Sequence, residues 1–378
     1  MKLYEYAIRR VILLVFVLVA VSVIVFFITR AFLSPTYAVS AFLTPRMTDP
    51  EKLQTAQSIG VATLSCPSWQ SLVANQPGCA VPVYEQYFSW LTNVLHGNWG
   101  YSQIPQIGVG TSAWAVFSAR FPLTVELALV ASLLILIIAL PLGIVSAVHS
   151  NKAPDHAARI VALTGYSMPL YWLGWILQIV FVLYLTIQVG AFKYGLFPAA
   201  GPSAGVVGSF CYLCISNAGN AVAYTGIPVV DGLLSGNLVY AWDALVAVFL
   251  PALTLCVGII GALTRIVRSS MVEALRQDYV ILARSKGLKE RTVIYRHALK
   301  NALLPAITIT GLIFAALLGG AVIVEDVFSW PGVGVAALQA SLFLDVNFLE
   351  LYTLVVALVL VLSNLVVDVL YAWIDPRI

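Results

Sequence analysis

Four of the five cysteines in this 378-residue chain could do chemistry together. Cys66, Cys79, Cys211 and Cys214 lie in polar segments outside the long apolar runs. If these segments face an oxidising compartment, the thiols can form disulfides, and three pairings are possible. We favour the two local pairs, Cys66–Cys79 and Cys211–Cys214. A zinc site formed by all four is the alternative, although no neighbouring histidine or acid supports it.

Few residues could catalyse a reaction. The four histidines are scattered without the spacing of metal ligands, and the chain contains no G-x-x-x-x-G-K-[ST] phosphate-binding loop. An intramembrane enzyme would need a nucleophile with its base, or metal ligands, deep within the apolar runs, and the sequence shows neither. It therefore predicts a non-enzymatic protein that holds no metal and binds no cofactor itself.

Three further side chains are candidates for a transport pathway or its gate. Glu126 opens one apolar run, Gln178 lies within another, and Trp330 belongs to the string Ser-Trp-Pro-Gly in an acidic loop without basic residues. Polar groups within membrane spans are functional candidates by default. The alternative is a hydrogen bond to a neighbouring helix for Glu126 and Gln178, and a solvated turn for the loop at 325–350.

The elements that must position these residues are membrane helices. Hydrophobic residues make up 61% of the chain and charged residues only 10%, against about 25% charged residues in soluble domains. A helix needs about 20 apolar residues to cross the bilayer. Six runs meet this need: Val11–Thr29, Leu127–Val148, Ile160–Phe192, Ala244–Thr264, Asn301–Val324 and Leu351–Val367. The third is too long for one straight span, and Pro169 is a candidate kink.

The orientation follows from the basic residues, which cytoplasmic segments retain. Most of the 20 lysines and arginines lie on one side if the N-terminus is inside. We therefore expect a multi-pass protein of the cell membrane, one domain over 1–378, with both termini cytoplasmic. Residues 34–121 are expected to form an extracellular cap between the first two helices, and 193–243 a second extracellular segment. The net charge of +3 gives no reason to expect nucleic acid as a partner; membrane lipid is the expected neighbour.

The internal segment 265–305 is basic and contains two short helical patterns. In the first, Tyr279, Leu282 and Ala283 recur at positions i, i+3 and i+4, which predicts that they share one helix face. Such a segment could serve as an anchor on anionic lipid. The other interpretation is a docking element for a cytoplasmic partner.

A helix stop separates the two patterns. Lys286 lies in the last turn of the first helix and Gly287 just beyond it, which is typical of a helix C-terminus. The second pattern continues into the fifth span. The segment thus consists of a helix, a glycine turn and a second helix that becomes a membrane span. Together they form a rigid lever that a cytoplasmic partner could push.

The amino-acid sequence of this segment resembles that of a known family. The strings Gln-Asp-Tyr-Val at 277–280, Ala-Arg-Ser-Lys-Gly-Leu at 283–288 and Arg-His-Ala-Leu-Lys-Asn-Ala-Leu-Leu-Pro at 296–305 are similar to the cytoplasmic coupling loop of ABC-transporter permeases of the dipeptide/oligopeptide importer family. Further strings that resemble the family lie at 84–91, 97–100, 121–127, 167–174, 328–334 and 364–377.

The resemblance implies an all-α fold of six transmembrane helices, like that of type I ABC importer permeases. It also implies a second similar permease, two cytoplasmic ATPase subunits that use ATP and magnesium, and an extracellular substrate-binding protein. Di- and oligopeptides are the expected substrates, with oligosaccharides as the alternative. An ion-coupled carrier is less expected because the sequence shows neither repeated halves nor acids at the middle of a span.

The resemblance also assigns roles within the coupling loop. Tyr279, Leu282 and Ala283 are expected to be buried in a groove of an ATPase subunit, while Arg284 and Lys286 pair with acids at its rim. The full set of expected coupling residues is Asp278, Tyr279, Leu282, Ala283, Arg284, Lys286, Gly287 and Leu288.

Overall fold

The protein is described by a computed structural model that covers residues 3–32, 39, 43, 46–58, 61–74, 76–105, 110–189, 192–195, 197–198 and 224–374. The helices are α1 (Leu3–Phe32), α2 (Asp49–Ser58), α3 (Trp69–Val73), α4 (Val83–Leu95), α5 (Ala113–Val148), α6 (Ala153–Ser167), α7 (Leu170–Gln178), α8 (Pro228–Leu234), α9 (Leu238–Leu275), α10 (Asp278–Ser285), α11 (Glu290–Thr292), α12 (Leu299–Leu318), α13 (Val322–Val327), α14 (Val333–Leu342) and α15 (Val346–Ile374). Two strands, β1 (Thr186–Val189) and β2 (Phe192–Gly195), pair as an antiparallel hairpin.

The prediction of a helical membrane protein is confirmed. Among the described residues, five helices are long and apolar enough to cross a membrane, and the bent pair α6–α7 makes a sixth span if the two helices are counted together. The two helices meet at 99°. The bend lies at Pro169, as expected, because proline has no N–H to continue the helix and forces the preceding Met168 into an extended conformation.

Three predicted bounds are wrong. The second span begins at Ala113 and not at Leu127, so Glu126 lies well inside α5 and does not open it. The third leaves the α-helix after Gln178 through a π-helical segment, Ile179–Tyr184, and then forms the hairpin. The fifth ends at Leu318, before the predicted Val324, because Gly320 has a φ of +97° that an α-helix cannot contain.

Residues Met1–Leu3, Pro122–Val335 and Leu360–Ile378 form one compact unit. Helix α9 is its centre and packs against α6, α7, α8 and α12. The approach of α6 to α9 is close enough to require glycine: a Cβ at Gly261 would collide with the carbonyl of Ala162, and one at Gly165 would lie 2.7 Å from the carbonyl of Val257.

Residues Tyr4–Phe121 and Ala336–Val359 form a second unit. Within it, Cys66 and Cys79 form a disulfide beside α2 and α3, and both sulfur-bearing side chains lie in a small apolar core. This is the first of the two expected pairs; Cys211 and Cys214 lie outside the described residues. Elsewhere in this unit the buried carboxylate of Asp345 accepts hydrogen bonds from Ser102 Oγ at 2.6 Å and Gln103 N at 2.8 Å.

Candidate functional site

Helix α10 and the turn after it lie at the centre of the predicted coupling segment 265–305. Lys286 caps the helix, and Gly287 follows with a φ of +73°. The Gly287 N–H donates to the carbonyl of Arg284 at 2.9 Å, and the Leu288 N–H donates to the carbonyl of Ala283 at 3.4 Å. These two bonds define a Schellman motif, in which the residue after the cap must adopt the left-handed conformation. The turn therefore has the backbone geometry that the sequence predicts.

The faces of α10 differ from the prediction. Ala283 is buried together with Val280 in the chain's own core, whereas Tyr279, Ile281 and Leu282 are 36%, 53% and 56% exposed. Tyr279, Leu282 and Ala283 therefore do not share one exposed face. Tyr279 and Ala283 are four positions apart, which is close to one helical turn. This short helix, however, has apolar residues on two sides, and Ala283 lies on the side that packs within the chain.

Exposed apolar side chains cover the outer side of this segment. We call the set of Tyr279, Ile281, Leu282 and Leu288 the coupling surface; Leu288 is 40% exposed. Asp278 lies in the first turn of α10, where a negative charge complements the helix dipole.

Arg284 has an acidic partner within this chain. Its Nη2 lies 2.6 Å from Glu290 Oε1, and both side chains are about half exposed. The hydrogen bond to Glu290 raises the pKa of Arg284 above its ordinary value, although burial acts in the opposite direction. The ion pair joins α10 to α11 across the Gly287 turn, so the rim position that the resemblance assigns to Arg284 is already engaged.

The segment after the turn is packed into the core of the first compact unit. Val293 and Ala298, in the π-helical segment Val293–Ala298, are fully buried in the same core as Val280 and Ala283. This π-helical segment leads directly into α12. Packed side chains therefore connect α10 to α12 through this segment.

A second cluster surrounds Glu325, which is fully buried in α13. Its carboxylate accepts hydrogen bonds from Thr124 Oγ1 at 3.0 Å and from Val335 N at 2.8 Å. Thr124 Oγ1 in turn accepts from Val333 N at 2.9 Å. Burial raises the pKa of Glu325, although the hydrogen bonds from Val335, Thr124 and Gly334 lower it. The cluster joins α5 to the start of α14.

Trp330 lies in the same cluster. It is fully buried, and its Nε1 donates to the carbonyl of Leu123 at 3.1 Å. Gly332 lies so close to Glu325 that a Cβ would collide with the carboxylate. The interpretation of this loop as a solvated turn is therefore wrong; its gating role remains a prediction.

The other two candidates for the pathway are hydrogen-bonded to neighbouring elements. Gln178 Nε2 donates to the carbonyl of Val327 at 3.0 Å, and Glu126 Oε1 accepts from Val229 N in α8 at 2.9 Å. Glu126 is buried, and its Oε2 has no partner among the described residues. These contacts fit the structural alternative. Whether either residue lines a pathway stays a prediction.

A buried charge cluster at the ends of α5, α6 and α9 was missed by the sequence reasoning. Asp155 is fully buried and binds Arg159 at 2.6 Å and Arg268 at 2.8 Å. The i, i+4 spacing of Asp155 and Arg159 could have indicated the first pair. Nothing local indicates the second, because Arg268 follows 113 residues later. Among the described residues, no group of acidic, histidine or cysteine side chains could hold a metal ion.

Comparison with known proteins gives a consistent result. Residues 139–378 match the family described as "Binding-protein-dependent transport system inner membrane component". The chain is 39% identical over 306 residues to the probable D,D-dipeptide transport system permease protein DdpB of Escherichia coli K12, covering 81% of this chain and 83% of the relative. It is 36% identical to the dipeptide transport system permease protein DppB of the same strain, covering 80% and 82%. It is 30% identical to the oligopeptide transport system permease protein AppB of Bacillus subtilis 168, covering 99% and 98%.

Proposed function

Because the chain belongs to the family of inner membrane components of binding-protein-dependent transport systems, we propose that it is the transmembrane permease subunit of an ATP-driven peptide importer. The observation that carries this proposal is the similarity to three permeases named for dipeptide or oligopeptide transport, which extends over at least 80% of this chain. The role is non-catalytic, since the relatives are permease subunits.

The proposal includes the partners of a complete importer. The chain would form the translocation pathway with a second, similar permease. Two cytoplasmic ATPase subunits would bind and hydrolyse ATP with magnesium, and an extracellular binding protein would deliver the substrate. In this arrangement both termini and the coupling segment 265–305 are cytoplasmic, while 34–121 and 193–243 are extracellular parts of the single domain 1–378.

The coupling surface is the proposed contact with an ATPase subunit. Its four side chains are apolar and exposed, and burial in a groove of the partner would remove Ile281 and Leu282 from water. The contacts of Val293 and Ala298 with the core would then pass the movement to α12. The Arg284–Glu290 ion pair joins α10 to α11 across the turn.

A reconstituted complex tests the proposal. The chain and its companion subunits are placed in proteoliposomes with ATP inside and the binding protein outside, and uptake of a labelled dipeptide is compared with uptake of a labelled oligosaccharide. We expect ATP-dependent accumulation of the dipeptide only. Accumulation of the oligosaccharide alone would replace the substrate assignment, and accumulation driven by an ion gradient without ATP would overturn the proposed class.

A further inference from the structure

A cavity of about 240 Å³ lies between α5, α6 and α9, away from the coupling surface. Its lining changes in character along its length. Arg159 and Arg268 meet at Asp155 at one end, and Gly261 packs against Ala162 at the other. The lining residues are Ser146, Arg159, Ala162, Leu163, Gly261, Thr264, Arg265 and Arg268.

The basic end carries more positive charge than its acid neutralises. Arg159 and Arg268 share the single carboxylate of Asp155. Both use their Nε and Nη2 atoms for this contact, so the Nη1 group of each makes no hydrogen bond within the described residues. Arg265 is exposed and has no ionic partner there either. Two guanidinium groups thus share one carboxylate, and a third, that of Arg265, lines the same cavity; such a set of donors suits a phosphate.

A buried hydroxyl points to a ligand independently of this charge. Thr264 is 3% exposed, and its Oγ1 has no hydrogen-bond partner in the described part of the chain. Threonine within a helix can bond to the carbonyl four residues earlier, but this one does not. An unpartnered buried polar atom is costly, and a ligand oxygen in the cavity would satisfy it.

The apolar end distinguishes a lipid from a free anion. Ala162, Leu163 and Gly261 offer no hydrogen-bonding side chain. Ile160 and Tyr166 of α6 are each 65% exposed, so this helix offers apolar surface on which acyl chains could pack. We propose that the cavity binds the phosphate group of an anionic phospholipid at Arg159, Arg265 and Arg268, while the acyl chains follow the apolar wall and the outer face of α6.

The test uses the full-length chain, purified in detergent and stripped of lipid. Native mass spectrometry measures its affinity for phosphatidylglycerol, for phosphatidylcholine and for inorganic phosphate. We expect phosphatidylglycerol to bind most tightly. Inorganic phosphate should bind weakly, because it leaves the apolar wall uncovered.

Two variants locate the site. Arg265→Gln should weaken the binding of phosphatidylglycerol by about tenfold, as expected for the loss of one charge-assisted hydrogen bond. Thr264→Val should weaken it without lowering the melting temperature, because the hydroxyl makes no bond within the described chain. Arg296→Gln removes the same charge from an exposed position outside the cavity and should leave binding unchanged.

Three results would overturn the proposal. Equal binding of phosphatidylglycerol to all variants would mean that lipid associates only with the general surface. Binding of inorganic phosphate as tight as that of the lipid would assign the cavity to a free anion. If Arg265→Gln left lipid binding intact but lost a companion subunit in a separate co-purification, the cavity would be a protein contact. None of these results depends on transport, so the proposed function is tested separately.

Discussion

At the scale of single residues, two buried polar side chains hold distant parts of the chain together. Thr124 and Glu325 are 201 residues apart, yet the threonine hydroxyl donates to the carboxylate and accepts the Val333 N–H. The hydroxyl therefore serves two partners. Removing it leaves a buried carboxylate and a buried N–H each short of a hydrogen bond.

We expect Thr124→Val to lower the free energy of unfolding by about 1–3 kcal/mol, because the change keeps the volume and removes both bonds. Thermal unfolding in detergent, followed by tryptophan fluorescence, measures the effect. Thr308→Val is the matched control: among the described residues the Thr308 hydroxyl bonds only to the Leu304 carbonyl of its own helix, so its loss should change the stability little. Equal effects of the two variants would contradict the role assigned to Thr124.

Gly287 gives a second prediction. A Cβ there would meet no atom within 4 Å, so space does not limit the substitution, but the φ of +73° does. Gly287→Val should abolish transport while the protein remains inserted, because a β-branched residue resists the left-handed conformation. Gly287→Asn should retain most of the activity, since asparagine tolerates that conformation. ATP-dependent uptake by reconstituted complexes measures both, and normal uptake by the valine variant would refute the lever.

At the scale of elements, α10 shows what periodicity predicts and what it does not. The helix and its glycine stop follow from spacing and from the type of Gly287. The spacing of Tyr279, Leu282 and Ala283 does not reveal which side packs against the π-helical segment Val293–Ala298, because that segment lies beyond the turn. Only the structure separates the buried side from the exposed one.

The exposed side is tested by Leu282→Asp. We expect this variant to reduce co-purification of the ATPase subunits by at least about tenfold, since a charge would be buried in an apolar contact. Its melting temperature should stay unchanged because Leu282 is 56% exposed. Leu64→Asp makes the same change at a position 91% exposed in the other unit and should leave co-purification intact. Loss of ATPase binding in both variants, or in neither, would exclude the coupling surface as the contact.

The ends of the spans were harder to predict than their existence. Hydropathy identifies a run of apolar residues, but α5 begins far ahead of its run because Arg120 and Pro122 are accommodated inside the helix. For the acidic loop 325–350, the error concerned burial: a solvated turn was considered, but Glu325 is fully buried. Each carboxylate by itself favours water, and the sequence does not show that Glu325 meets Thr124, Val335 and Gly334 in the interior.

At the scale of the whole molecule, the chain is expected to depend on its companions for energy. Proteoliposomes that contain only this chain should show no accumulation of peptide against a gradient, with or without ATP. Addition of the ATPase subunits, the second permease and the binding protein should restore it. Accumulation by the chain alone would contradict a passive role.

The bend at Pro169 has a consequence for biogenesis. Because α6 and α7 meet at 99°, the third apolar run must bend if it enters the membrane as a single straight helix. Helix α9 packs against both arms but is synthesised after them. We therefore expect the bend to reach its final angle only after α9 has been synthesised and inserted. A chain truncated before residue 238 would lack the helix against which α6 and α7 pack.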